Sequence, residues 1–215
     1  MSGRTLRFHF DYLSPYSYLA WQEVPEFAAR LGLELEPVPI LLAGLLNHHG
    51  HKGPGEIPPK RAYIFRDCIR RAETLGVALV PPASHPFLPL LPLRVTSLDM
   101  EADLRKLLVT ALFRATWAEG RDVSQPEVVS EICDHVGVRE AVRRAGRPET
   151  KERLKSATER ALAEGIFGVP SMLVDGEVFW GTDSFEYLER YLRGDDPVSR
   201  ADLRAWDAIE PTAVR

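Results

Sequence analysis

The chain reads as an α/β fold in two separated halves, a βαβ unit at the start and a ββα unit near the end, with a helical domain inserted between them. Three observations predict it. The alternating, aromatic-rich stretch TLRFHFDYL runs directly into the helix-spaced SPYSYLAWQEVPEFAARLG; a long middle region shows helical periodicity with little alternation; and Asp175-Gly176 separates two short apolar runs, PSMLV and EVFWG. Thr5 to Phe10 is the first predicted strand. The helix after it starts at Ser14 and stops at Gly32. LELEPVPIL alternates again and predicts a second strand, parallel to the first through a right-handed crossover.

From Leu41 the pattern changes. LLAGLLNHHGHKGPGEIPP predicts a short helix and then a loop, PKRAYIFRDCIRRAETLG a helix closed by Gly76, and the proline-rich VPPASHPFLPLLPLR an extended wall or turn. SLDMEADLRKLLVTALFRATWAEG, QPEVVSEICDHVG and ETKERLKSATERALAEG predict three or more further helices. After the Asp175-Gly176 hairpin, TDSFEYLERYLRG makes a last helix ending at Gly194, and residues 196–215 read as a loosely held tail. The order assigns residues 1–40 and 165–195 to one domain and 41–164 to the insertion. That arrangement is a thioredoxin-like fold carrying a helical insert.

Bulk properties narrow the function. With 215 residues and a formal net charge of -4, the chain offers no general electrostatic grip on nucleic acid or an anionic membrane. The first twenty residues lack a basic-then-apolar leader and no apolar run reaches membrane-span length, so a cytoplasmic protein with no membrane partner is expected. Cys68 and Cys133 stand far apart, which excludes a disulfide framework and a local C-x-x-C pair. Thiol chemistry would need a thiol from outside. His48, His49 and His51 lack metal-ligand spacing, and no metal is expected.

Ser14 and Ser17 stand where a thioredoxin-type site has its two cysteines. The first turn of a helix presents unpaired N–H groups and a partial positive charge, which favour an anion such as a thiolate. Ser14 equally suits an N-cap followed by Pro15 at the first helical position. In FGVPSM, Pro170 is either a strand-initiating proline or part of a binding turn. In WGTD, Asp183 suits an ammonium group, or a capping box with Glu186. Tyr16 and Trp180 fit an aromatic pocket or the core; His85 fits a proton carrier or an incidental loop residue. Lys60, with Lys52, Arg61 and Arg66, suits a substrate carboxylate or a solvated face.

FDYLSPYSYLA, FRATWAEG and GIFGVPSMLVDGEVFWGTDSFEYLERYL together resemble the 2-hydroxychromene-2-carboxylate isomerases, which group with kappa-class glutathione transferases in the DsbA-like branch of the thioredoxin superfamily. The resemblance runs from Phe8 to about Arg193. It implies glutathione as cofactor, Ser14 as the catalytic residue that hydrogen-bonds its sulfur, and Val169 beside a cis-Pro170 as the partner of its cysteinyl backbone. It implies Trp180, Gly181, Thr182 and Asp183 as the site of the γ-glutamyl end, with Thr182 where relatives often have Ser or Asn. Lys60 matches a recurring lysine, and His51 falls where kappa-class enzymes have an asparagine. The Asn-Arg pair of the isomerases is missing from this loop, which leaves the substrate open; Tyr16, His51, Lys60 and His85 are its candidate contacts. The implied activity is reversible thiolate addition to a small aromatic or conjugated carboxylate, in breakdown of an aromatic compound, by a homodimer. Conjugation of glutathione to electrophiles and a noncatalytic binding module are the rival readings. Thiol-disulfide exchange is excluded because the first turn carries no sulfur.

Overall fold

The computed structural model describes residues 3–210. Strand β1 (Thr5–Phe10) leads into helix α1 (Pro15–Arg30) and strand β2 (Glu34–Pro39), which pairs parallel to β1 from Thr5↔Glu34 to Phe10↔Pro39. The expected βαβ unit is formed. Helix α2 (Leu42–His48), a short 3-10 turn at Pro54–Glu56 and helix α3 (Pro58–Leu75) follow. Helices α4 (Leu90–Thr96), α5 (Ala102–Trp117), α6 (Pro126–Val136), α7 (Ala141–Ala145) and α8 (Pro148–Ala163) make up the helical region. Strands β3 (Ser171–Val174) and β4 (Glu177–Trp180) close a four-stranded sheet in the order β2-β1-β3-β4, with β3 antiparallel to both neighbours. Asp175 and Gly176 both take positive φ, 53° and 86°, as a two-residue hairpin of this kind requires.

Alternation along β1 explains the layering. Leu6, Phe8 and Phe10 are wholly buried; Phe8 packs on Trp21 of α1 and Phe10 on Phe113 of α5, with ring centroids 5.6 Å and 5.4 Å apart. The opposite face is covered by a cluster from α2, α8 and β3 that includes Leu45, Ala157, Ala161 and Leu173. A sheet covered on both faces is what a parallel β1–β2 pair needs. Catalytic groups are then left to the ends of its strands.

Two expectations need correction. The proline-rich stretch is not extended throughout, because Leu90–Thr96 is helical with Pro92 in its first turn, where a missing N–H breaks no intrahelical bond. Within the predicted tail, Arg200–Asp207 is helix α10, begun by a capping box between Ser199 and Asp202. Positions 211–215 of that tail and positions 1 and 2 of the N-terminal segment lie outside the described residues. By packing, the chain divides into a first unit ending at Thr182 and a second beginning at Asp183, which holds helix α9 (Phe185–Arg193), stopped at Gly194 with φ 75°, and α10. None of the described helices is long and apolar enough to cross a membrane.

Candidate active site

Four residues, Asp11 to Ser14, join β1 to α1, and every carbonyl before Ser14 in that turn is engaged. The Asp11 carbonyl accepts the Ser14 N–H at 3.0 Å, and the Tyr12 carbonyl accepts Nε1–H of Trp117 at 2.9 Å. The Leu13 carbonyl lies 3.2 Å from Nε2 of His85. Trp117 belongs to the FRATWAEG stretch, whose role in the site was not apparent from its spacing. Ser14 itself is 7% exposed and is the N-cap of α1, its Oγ accepting the Ser17 N–H at 3.1 Å with Pro15 next to it. A hydroxyl that accepts through a lone pair keeps its hydrogen for donation. The cap reading and the anion-donor reading of Ser14 are therefore compatible. Ser17 is fully buried, and its Oγ has no hydrogen-bond partner.

His85 works as a wedge beneath this turn. Donation from Nε2 to the Leu13 carbonyl requires the Nε2–H tautomer, and Nδ1 is then a buried acceptor without a partner. Burial first, then the charge of Arg61, holds the ring below the ordinary histidine range against the pull of the Leu13 bond, so it is neutral at pH 7. Phe65 and Trp117 flank it, with ring centroids at 5.2 Å and 5.9 Å. The Pro54–Glu56 turn rests on it closely enough that a Cβ on Gly55 would lie 3.2 Å from Cε1. In this place His85 supports the turn.

Tyr16 is drawn into a chain of polar contacts that sequence spacing did not reveal. Its hydroxyl donates to Asp67 Oδ2 at 2.9 Å; Arg71 donates from Nε to the same oxygen at 2.7 Å and from Nη1 to Thr182 Oγ1 at 2.9 Å. The Arg71 guanidinium also sits over the Tyr16 ring, 5.8 Å from its centroid. Burial would raise the Asp67 carboxyl, but the bonds from Arg71 and Tyr16 prevail and hold it below the usual range. Burial and then the Asp67 bond push the Tyr16 phenol well above its ordinary value, so it remains a donor. Helix α3 thus ties SPYS to the Thr182 end of the WGT stretch.

The second motif reaches the same end of the sheet by strand register. His9 pairs with Ser171, so one further antiparallel step sets Pro170 beside Phe10, at the strand end that leads to Ser14. The Val169–Pro170 bond is cis, as is His85–Pro86, which no sequence signal indicated. Among the described residues, the Val169 N–H and carbonyl pair with no other backbone group. Gly181, at φ 93°, donates its N–H to the Pro170 carbonyl at 3.0 Å. Trp180 is 54% exposed, packs on Phe167 at 5.2 Å and crowds Gly168, where an added Cβ would lie 2.8 Å from Nε1.

His51 and Lys60 are both exposed, His51 held by its N–H to the Leu46 carbonyl at 2.9 Å and Lys60 in the first turn of α3. The His49 ring meets His48 edge to face and lies tilted against His51, with centroids 5.0 Å and 6.0 Å apart, and among the described residues no three His, Cys, Asp or Glu side chains could hold a metal ion. Asp183 opens the second unit. Helix α9 there starts at Phe185 with Ser184 as cap residue, so Asp183 and Glu186 do not form the expected capping box; the helix begins one residue late for it.

Comparison with known proteins shows the family. The DSBA-like thioredoxin domain family matches residues 5–193. A 2-hydroxychromene-2-carboxylate isomerase from Sphingobium xenophagum is 31% identical over 88% of this chain and 98% of its own length. The chain belongs to the 2-hydroxychromene-2-carboxylate isomerase family of DsbA-like thioredoxin proteins. A solved 2-hydroxychromene-2-carboxylate isomerase superposes with a TM-score of 0.81 at 25% identity, covering 96% of this chain and all of that one (100%). Human glutathione S-transferase kappa 1 is 25% identical over 88% of this chain and 91% of its own. As a member of this isomerase family, the protein is an enzyme. Its Ser14 turn, Pro170 and Thr182 are gathered at one end of the sheet by the contacts above.

Proposed function

We propose that this enzyme is a glutathione-dependent cis/trans isomerase acting on a 2-hydroxychromene-2-carboxylate or a similar conjugated carboxylate. The observation that carries the reading is Ser14, an N-cap whose hydroxyl hydrogen is not used by its cap bond, at the strand end where register sets cis-Pro170 beside Phe10. Glutathione bound there supplies a thiolate that adds reversibly to the conjugated system, turning a double bond into a rotatable single bond before leaving. Ser14 donates to the sulfur, the Val169 backbone pairs with the cysteinyl part, and Trp180, Gly181 and Thr182 take the γ-glutamyl end. The start of α1 contributes ~0.5–1 kcal/mol and the Ser14 hydrogen bond ~1.5–3 kcal/mol, together lowering the thiol pKa by roughly 1.5–3 units. A thiol near pKa 8.5 then ionises at neutral pH. Lys60 and His51, both exposed, are the candidate contacts of the substrate carboxylate, and Tyr16 and His85 are its other candidate contacts. The reading includes a cytoplasmic homodimer that serves aromatic breakdown, with residues 41–164 as an inserted helical domain.

Titration of the purified protein with reduced glutathione, followed at the thiolate absorbance band, tests this directly. Binding with a thiolate signal at pH 7 is expected, as is turnover of a hydroxychromene carboxylate that ceases without the thiol. Binding with no ionised sulfur would remove the mechanism. The kappa-class relatives carry a second reading, conjugation of glutathione to an electrophile. A product that retains the sulfur would select it.

A further inference from the structure

Asp11 is wholly buried, and both of its carboxylate oxygens are taken by backbone N–H groups from different segments. Oδ1 accepts the Leu13 N–H at 3.0 Å and Oδ2 accepts the Leu42 N–H at 2.9 Å. Leu13 immediately precedes Ser14. Leu42 is the first residue of α2, whose cap residue, Leu41, offers no side-chain acceptor. The first N–H groups of a helix have no partner inside it, so the carboxylate supplies the missing cap from 31 residues away in sequence.

We propose that Asp11 is a positioning residue that couples the Ser14 turn to the start of α2, and so places the segment that carries His51 and leads to Lys60. That segment returns to the same turn at its other end, where Gly55 rests on His85 and His85 bonds the Leu13 carbonyl. A second anchor, the Leu41 N–H to Thr158 Oγ1 at 3.1 Å, ties the start of α2 to α8. Residues 42–55 are therefore pinned to residues 11–13 from both ends, and Asp11 is the charged member of the pin. Burial pushes its carboxyl up to about 6 while the Leu13 and Leu42 N–H groups pull it back. No charged side chain contributes to that shift. Its titratable neighbour, Tyr12, has a hydroxyl bonded to Thr96 and a pKa raised by burial, so it stays neutral across this range.

Only the kinetic arm of the test rests on the function proposed above. In the full-length protein, the backbone amide shifts of Leu13 and Leu42 should titrate with one shared midpoint near 6, and both transitions should vanish in Asp11→Asn. Separate midpoints, or a transition that survives the substitution, would overturn the coupling without reference to any ligand. Leu42→Pro removes the same N–H at a helix position that suits proline, after a residue already extended at φ -88° and ψ 105°, and keeps the idea testable should Asp11→Asn fail to fold. Loss of a hydrogen bond to a charged acceptor predicts that each variant raises KM for a hydroxychromene carboxylate about tenfold, with kcat changed less than about twofold. Unchanged KM in both variants, or an effect confined to kcat, would refute the positioning role. Should the wild-type protein bind no glutathione, the functional reading falls, and the paired amide titration decides the Asp11 coupling alone.

Discussion

In the proposed function the hydroxyl of Ser14 serves the helix and the thiol at once, and substitution separates the two tasks. Ser14→Ala removes the acceptor of the Ser17 N–H, an N-cap loss of about 1 kcal/mol. Loss of the donor to a thiolate should reduce kcat/KM by at least about tenfold beyond what that stability change explains. Urea melts and steady-state kinetics on one preparation check both, and equal activity in the mutant would strip Ser14 of its catalytic part. Gly168 is a second single-residue test. Its backbone is outside the left-handed region, so alanine is allowed there, but the new Cβ would meet the Trp180 ring at 2.8 Å. Overpacking of this kind costs about 1–3 kcal/mol unless the ring moves. Gly168→Ala should therefore shift Trp180 fluorescence and weaken glutathione binding; an unaltered spectrum with native affinity would mean that Trp180 does not shape the site.

At the scale of elements, α3 acts as a brace between the two motifs. Its Asp67 and Arg71 span from Tyr16 on α1 to Thr182 after β4, and the ion pair is only partly buried, with side chains 18% and 37% exposed. Such a pair contributes little to stability, typically under about 1 kcal/mol. Its value is orientation. Asp67→Asn should leave the melting midpoint nearly unchanged while lowering the Tyr16 phenol pKa, because the bond from the hydroxyl to a carboxylate is one reason it is raised. Alkaline ultraviolet titration, with Tyr16→Phe to identify the signal, reads this out. A Tyr16 titration identical to wild type would show that burial alone governs it.

At the scale of the whole molecule, two buried groups on neighbouring positions of the first strand and turn set opposing responses to acid. His9 is 1% exposed; burial and then the charge of Arg7 depress its ring from 6.5 to about 4, against Glu164 and the Ser171 backbone bond. The unfolded chain therefore takes up that proton first, and stability falls as pH drops from 6.5 toward 4. Asp11 does the reverse. Its folded pKa is raised from 3.8 to about 6, so its contribution is fully present below 3.8 and is lost as pH rises through 6. Each effect is on the order of 3 kcal/mol over its range. Asp11→Asn should make the protein distinctly more acid-sensitive in urea melts between about pH 4 and 6.5, and His9→Gln less so. Parallel curves for both variants would show that neither group titrates as its burial dictates.

The secondary structure around the site was legible because its signals are local. The alternation of β1, the helical spacing after Ser14, the helix stops at Gly76 and Gly194 and the Asp175-Gly176 hairpin each depend on residues within a few positions of one another. So did the absence of a sulfur from the first turn of α1. The helix at Leu90–Thr96 was missed because proline is tolerated in a first turn, and its presence there reads the same as in a loop. What the sequence by itself determined was the elements, their order and the chemistry available at Ser14. What only the tertiary structure decided was who holds that turn: Asp11 to Leu42, Trp117 to Tyr12, His85 to Leu13, and Arg71 to Thr182 across 111 residues. Periodicity and propensity describe neighbours along the chain, whereas a hydrogen bond between distant residues exists only once packing has brought its donor and acceptor within about 3 Å.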